Sequence, residues 1–512
     1  MLRRLDKSFF IVACIAAVIM FFYLGNIPLL DPDEPVYAET PKEMINFNEF
    51  LSPRIYGEYW YDKPPLYYWL VAGAFKVFGM GEFSARFPSA FLGVAGVLAL
   101  YWFGCEIFNK RAAMAGALVL STSIEYFYLG KAAVTDITLN FCLTLALLGF
   151  ITKRYYLMYI FTGLATVAKG PVGFLFPGAI IFLYLAATSR FKILKEMKMP
   201  TGIILFAVTA LPWYLFMYSV HGNAFIDTFL GFHNVTRFTS PEHPELVVWY
   251  YFIPVLLLGF FPWTSILFQS VWVSLTQRSQ GNNKKLLFLN IWAAFIFIFF
   301  TISQTKLVSY ILPMYPPLAL IAGWYIDRVW EFRERSIMWP IVLAILSALI
   351  IAGMFTGLKL LPILSTGIMI SAVLFIVMTL CSLVFIWKRQ IGKAFWAQVI
   401  GMMLFSMVLV SLLFAGAAPY FTSKYIAQEF TNKYDGKSPV YVMKFLRPGF
   451  AYYTNVYGSE IKAKELATAV NSAQGKAYFV IQQADYKELT ESERERVKIV
   501  AEAADRIILI KE

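Results

Sequence analysis

Residues 8–39 read SFFIVACIAAVIMFFYLGNIPLLDPDEPVYAE. An apolar run of membrane-spanning length is followed at once by three carboxylates, Asp31, Asp33 and Glu34, set around Pro32 and Pro35. A bilayer core of about 30 Å needs about 20 apolar helical residues, so the first part predicts a transmembrane helix. The basic start MLRRLDK, with no small-x-small cleavage site after the run, predicts that this helix is retained rather than removed as a signal peptide. The two prolines disfavour helix and predict that the acids are presented on a fixed, non-helical turn at the membrane surface.

The pattern recurs along the chain. Hydrophobic residues make up 59% of the 512 and charged residues 15%, the composition of a polytopic α-helical membrane protein. Hydropathy fits thirteen spans, at 8–29, 85–107, 112–130, 136–152, 155–168, 171–189, 201–220, 248–275, 286–303, 308–327, 338–357, 364–387 and 394–418. The net charge of +12 lies in short clusters between these runs, which excludes a continuous nucleic-acid patch. Arg3, Arg4 and Lys7 share one side with Lys110 and Arg111, Lys153 and Arg154, Arg190, Lys192, Lys195 and Lys198, then Arg278, Lys284 and Lys285, Arg328, Arg333 and Arg335, and Lys388, Arg389 and Lys393. The positive-inside rule then places the N-terminus in the cytoplasm and, for an odd number of spans, the C-terminus outside it. Cys14, Cys105, Cys142 and Cys381 all lie in apolar runs and read as buried hydrophobes, neither disulfides nor zinc ligands.

After about residue 420 the character changes. Segments 438–446, 477–482 and 506–511 read as strands, and 460–471 and 484–499 as helices. This predicts a transmembrane catalytic domain over 1–420, with extracytoplasmic loops 30–84 and 221–247, and a small soluble α/β domain over 421–512 outside the cytoplasm.

With that topology the unusual polar residues gather on one membrane face. Asp33 and Glu34 share the first outer loop with Arg54, Trp60, Asp62 and Lys63; Lys131 and Asp136 flank the next outer turn, and Lys169 lies in another. His221, His233, Arg237 and His243 occupy 221–247, and Lys306 and Tyr310 mark the outer end of span ten. Each has an ordinary reading as a cap, an interface anchor or a snorkelling cation. Together they suit chemistry on a lipid headgroup, because a carboxylate can take a proton from an acceptor hydroxyl or orient a nucleophile. Lysines and arginines can stabilise charge on a departing phosphate. No nucleotide-binding, HExxH or GxSxG motif stands in a suitable context. A transporter or flippase of an anionic lipid-linked sugar, which would place charges at mid-membrane depth, and a non-catalytic membrane scaffold are the alternatives.

The ordered segments DPDEPVYAE, YWYDKPPLYYW, KAAVTD, AKGPVG, FLGFHNVTRFTSP and SQTKLVSYILPMYPPLAL resemble the aminoarabinose transferase branch of the GT-C glycosyltransferases, which is related to the protein O-mannosyltransferases. The resemblance implies an inverting glycosyltransferase in the bacterial inner membrane. It would take its sugar, 4-amino-4-deoxy-L-arabinose or a relative, from undecaprenyl or another polyprenyl phosphate, and pass it to lipid A or another envelope glycan, lipid or protein. No nucleotide cofactor is implied. Asp33 then matches the catalytic aspartate, Glu34 its neighbour, and Asp136 a second acid; Lys63, Lys169 and Tyr310 match donor phosphate residues. Arg54, Trp60, Lys131, Arg237 and Lys306 join them as expected substrate contacts, and Asp62 and His233 match the holders of a divalent metal, zinc. Val36 and Phe232 stand where the family often has arginine, and Asp62 replaces a longer glutamate, which leaves the acceptor open.

Overall fold

The computed structural model describes residues 6–240, 247–276, 283–333, 336, 338–359 and 361–512. Arg3, Arg4, His243, Arg278 and Arg335 lie outside the described residues. The chain forms two compact units: Met1–Phe22, Tyr61–Tyr67 and Phe87–Leu409 make the first, and Tyr23–Trp60, Tyr68–Arg86 and Val410–Glu512 the second.

The first unit is helical. Counted over the whole chain, six helices among the described residues are long and apolar enough to cross a membrane, and eight if each bent pair is one span. Two segments expected as single straight spans are broken. Lys110–Thr122 and Ile124–Lys131 meet at 62°, and Phe252–Gly259 and Thr264–Thr276 at 106°, where Pro262 cannot continue the helical hydrogen bonds. The expected span 201–220 runs on instead of ending in a loop. Helix Met199–Phe225 passes into a π-helical stretch, Ile226–Thr236, and a last turn, Arg237–Thr239, because the apolar periodicity of AFIDTFLGF continues past the kink at Gly222. Lys110–Thr122 packs tightly on Tyr315–Phe332. A Cβ on Gly323 would collide with the backbone at Gly116 and Ala112, so only small residues permit this approach.

The second unit holds a five-stranded mixed sheet, β3 Val440–Met443, β4 Ser459–Ile461, β5 Ala477–Gln482, β6 Lys498–Ala503 and β7 Arg506–Lys511, in the order β4-β3-β5-β7-β6. β1 Arg54–Ile55 and β2 Glu58–Tyr59 form a separate small hairpin. β3 pairs parallel with β4 and β5, while β7 runs antiparallel to β5 and β6. The strand periodicity of SPVYVMKFL, AYFVIQ and RIILIK corresponds to β3, β5 and β7. The expected helix 484–499 is instead two short helices, Gln483–Glu488 and Glu491–Arg494, followed by β6. Capping boxes at Gln482 and Thr490 start each helix, and the alternating KIVAEA then pairs with β7. Val442, Phe450, Tyr478, Phe479, Val480 and Leu509 are fully buried in this core.

The expected non-helical turn at Asp33 is also corrected. Asp33 and Glu34 open the helix Asp33–Asn46, with Pro32 as its N-cap residue and Pro35 in its first turn. Proline is tolerated there because the first amide groups of a helix have no intrahelical partner to lose. Both carboxylates also sit favourably at the positive end of the helix dipole.

Candidate active site

Asp62 and Lys63 lie in the turn before Leu66–Phe78, where Pro64 restricts Lys63 to extended backbone. One carboxylate oxygen of Asp62, Oδ1, is the centre of the cluster. Lys63 Nζ lies 2.7 Å from it, His233 Nδ1 2.8 Å and Arg237 Nη1 3.5 Å. His233 and Arg237 are four residues apart on one helical stretch, so they share a face and reach the same acid. Their placement in helix rather than loop is what makes this possible. The Asp62, Lys63 and His233 side chains are about nine-tenths buried, and that of Arg237 about three-quarters.

Burial alone would raise the Asp62 carboxyl, but Lys63, His233 and Arg237 outweigh it and hold the group well below the usual carboxylate range. For Lys63 the balance goes the other way: burial and the neighbouring charges of Arg237 and Lys169 lower its ammonium despite Asp62. Lys63, Arg237 and Lys169 are therefore close enough to act on one another's charge.

A second pair completes the cluster. Asp136 opens the helix Asp136–Ile151 and Lys169 closes the helix Tyr155–Lys169, each at the helix end that favours its charge. Lys169 Nζ lies 2.7 Å from Asp136 Oδ1 and 5.5 Å from the centre of the Tyr310 ring. Tyr310 is carried by the 3-10 turn Val308–Met314. Asp62, Lys63, Asp136, Lys169, His233, Arg237 and Tyr310 thus form one polar network within the first unit. The arrangement can bind an anion with several oxygens and stabilise charge that grows on it.

Two expected substrate lysines are placed elsewhere. Lys131 donates to the carbonyls of Ile19, Met20 and Phe22, closing the end of helix Lys7–Phe21. Lys306 donates to Thr301 and Ser303 at 2.8 and 3.0 Å, closing the end of Asn283–Ile302. Both satisfy carbonyls that a helix end leaves without partners.

The remaining expected residues belong to the second unit. Asp33 is exposed at the start of its helix. Glu34 is buried and bidentate with Arg86, at 2.8 and 2.6 Å, and Arg86 also donates to the carbonyls of Leu24, Ile27 and Pro28. Glu34 thereby anchors the chain after the first helix. Arg54 pairs with Glu49 at 3.0 Å and lies 4.0 Å over the Tyr59 ring, with the half-buried Trp60 following β2.

Sequence reading passed over Glu125, whose buried carboxylate accepts a hydrogen bond from Tyr315 in the first unit. Its only signal was a lone acid inside an apolar run.

The donor set does not fit zinc. All three partners of Asp62 converge on one oxygen, two of them a lysine and an arginine, and a divalent ion beside Lys63 and Arg237 would be repelled. Among the described residues no three His, Cys, Asp or Glu side chains are grouped to hold a metal.

Residues 62–216 match the family model of the dolichyl-phosphate-mannose-protein mannosyltransferases. An uncharacterised protein of Aquifex aeolicus is 30% identical over 63% of this chain and 74% of its own length. An undecaprenyl phosphate-alpha-4-amino-4-deoxy-L-arabinose arabinosyl transferase of Pectobacterium atrosepticum is 27% identical over 65% of this chain. The match spans 62% of that enzyme's length. The fold of ArnT from Cupriavidus metallidurans, solved with undecaprenyl phosphate bound, superposes over 98% of this chain and 97% of its own, with a TM-score of 0.80 at 21% identity. The chain thus matches the mannosyltransferase family model over 62–216 and shares the fold of ArnT over nearly its whole length. The long apolar helices among the described residues accord with a multi-span membrane protein.

Proposed function

We propose that this protein is an inverting glycosyltransferase of the GT-C type. It moves 4-amino-4-deoxy-L-arabinose or a related sugar from undecaprenyl or another polyprenyl phosphate to lipid A or another envelope glycan, lipid or protein. The observation that carries this reading is the crowding of Lys63, Lys169 and Arg237 around two carboxylates, which suits a lipid phosphate. The bond between the sugar C1 and the phosphate oxygen breaks, and its electron pair leaves on the phosphate. Lys63, Lys169 and Arg237 stabilise that charge. The acceptor oxygen bonds to C1 from the opposite side, which inverts the centre. Asp33 takes the proton when the acceptor is a hydroxyl and aligns the acceptor when it is an ionised phosphate. The reading includes thirteen spans in the bacterial inner membrane, a cytoplasmic N-terminus, a transmembrane catalytic domain over 1–420 and a periplasmic α/β domain over 421–512.

Lipid mass spectrometry on cells lacking the protein, complemented with wild type or Asp33→Asn, tests it. The variant is expected to accumulate a polyprenyl-phosphate sugar and to lose the matching mass from lipid A or another glycolipid. An unchanged lipid profile, with the variant present in the membrane, would remove Asp33 from the reaction. Zinc at Asp62 and His233 stands outside this reading. Elemental analysis of purified protein is expected to find far less zinc than protein, and stoichiometric zinc would restore the metal.

A further inference from the structure

A cavity of about 1330 Å³ opens in the first unit where the C-terminal ends of Tyr315–Phe332 and Ser365–Trp387 meet the N-terminal end of Ile391–Val408. Helix Tyr315–Phe332 has 18 residues and is therefore about 27 Å long. Tyr310 precedes its other end, so the cavity is separate from the cluster around Lys169.

The walls of the cavity are aromatic, with Trp330, Phe385 and Trp396. A Cβ on Gly392 would collide with the Trp330 indole, so glycine at this position lets the ring lie against the start of the neighbouring helix. The rim carries Arg333, Lys388, Arg389 and Lys393. Glu331 also lines the cavity, but it is paired with Arg111 at 2.7 Å. Among the described residues no carboxylate pairs with the four rim cations, and Lys393 lies 5.8 Å over the Phe385 ring. The C-termini of Tyr315–Phe332 and Ser365–Trp387 favour the cations Arg333, Lys388 and Arg389 that follow them, while Lys393 lies in the first turn of Ile391–Val408. Tryptophan beside basic residues at the ends of apolar helices marks the headgroup level of a bilayer.

We propose that this cavity binds an anionic glycerophospholipid. The rim cations hold its phosphates, and its acyl chains lie along Phe385 and the exposed Ile400. Basic pockets between transmembrane helices suit diphosphate headgroups, and four rim cations can engage two phosphates together. A zwitterionic headgroup brings its own cation and is disfavoured by the same rim.

Native mass spectrometry of the full chain in detergent, with tetraoleoyl cardiolipin, phosphatidylglycerol or phosphatidylcholine added, tests the site. Cardiolipin should be retained most strongly and phosphatidylcholine least. The triple variant Lys388→Gln, Arg389→Gln, Lys393→Gln should bind cardiolipin roughly a hundredfold more weakly, from about one unit of charge attraction per cation lost. Ala397→Trp places a bulky ring on the cavity wall while keeping every charge, so it should weaken binding by obstructing the acyl chains, and it serves if the triple variant inserts poorly. Lys192→Gln, Lys195→Gln, Lys198→Gln removes an equally exposed basic cluster and should change nothing. Equal retention of phosphatidylcholine, equal loss from the 192–198 variant, or full binding by both the triple variant and Ala397→Trp would each overturn the proposal.

Discussion

Arg506→Met is expected to destabilise the second unit by about 3–5 kcal/mol, because it leaves a buried acid without its counter-charge. The Arg506 and Asp31 side chains are 1% and 0% exposed, with Nη2 3.5 Å from Asp31 Oδ2. Ser423 Oγ donates to the same oxygen at 2.6 Å, and Arg506 also holds Asp505 at 2.7 Å and the carbonyl of Pro419 at 3.3 Å. Burial pushes the Asp31 carboxyl up to about 7, even though Ser423 and Arg506 both lower it. An unfolded aspartate releases its proton near pH 4, while folded Asp31 keeps its proton to about 7. The folded state therefore binds more protons between these values. The stabilisation from this group is full below about pH 4 and is lost as pH rises through about 7. Melting of purified protein should show Arg506→Met losing less stability at acid than at alkaline pH. Asp31→Asn should remove this part of the pH slope and partly rescue Arg506→Met in the double variant. An Arg506→Met protein that melts like wild type at alkaline pH would refute the account.

Lys63→Met should lower the rate of sugar transfer by roughly 10²–10³-fold, the loss typical of removing one preorganised donor from a developing anion. Burial, and then Arg237 and Lys169, lower the Lys63 ammonium against the pull of Asp62, so a phosphate beside these cations would favour its charged form. Adding undecaprenyl phosphate should therefore raise the melting temperature of wild-type protein, and Lys63→Met should lose most of that rise. Lys63→Arg should recover little, since a planar guanidinium cannot replace a compact ammonium in a closely packed site. The variant keeps the His233 and Arg237 contacts to Asp62 and should fold. Full activity in Lys63→Met would remove the phosphate role from this cluster.

By itself the sequence determined a polytopic helical chain and the segments of β3, β5 and β7. Those features rest on composition and short periodicity, which act on near neighbours and are visible in any window of the chain. It also marked Asp62, Lys63, Asp136, Lys169, His233, Arg237 and Tyr310 as candidates. A charged residue at the edge of an apolar run looks the same whether it faces a ligand or closes a helix. Only the tertiary structure separated Lys63 and Lys169, which face other charges, from Lys131 and Lys306, which satisfy backbone carbonyls. The same holds for the acids of DPDE. Glu34 meets Arg86 52 residues later, and Asp31 meets Arg506 at the far end of the chain, leaving Asp33 exposed between them. These partnerships are set by which elements pack together, and no local pattern encodes a contact across hundreds of residues.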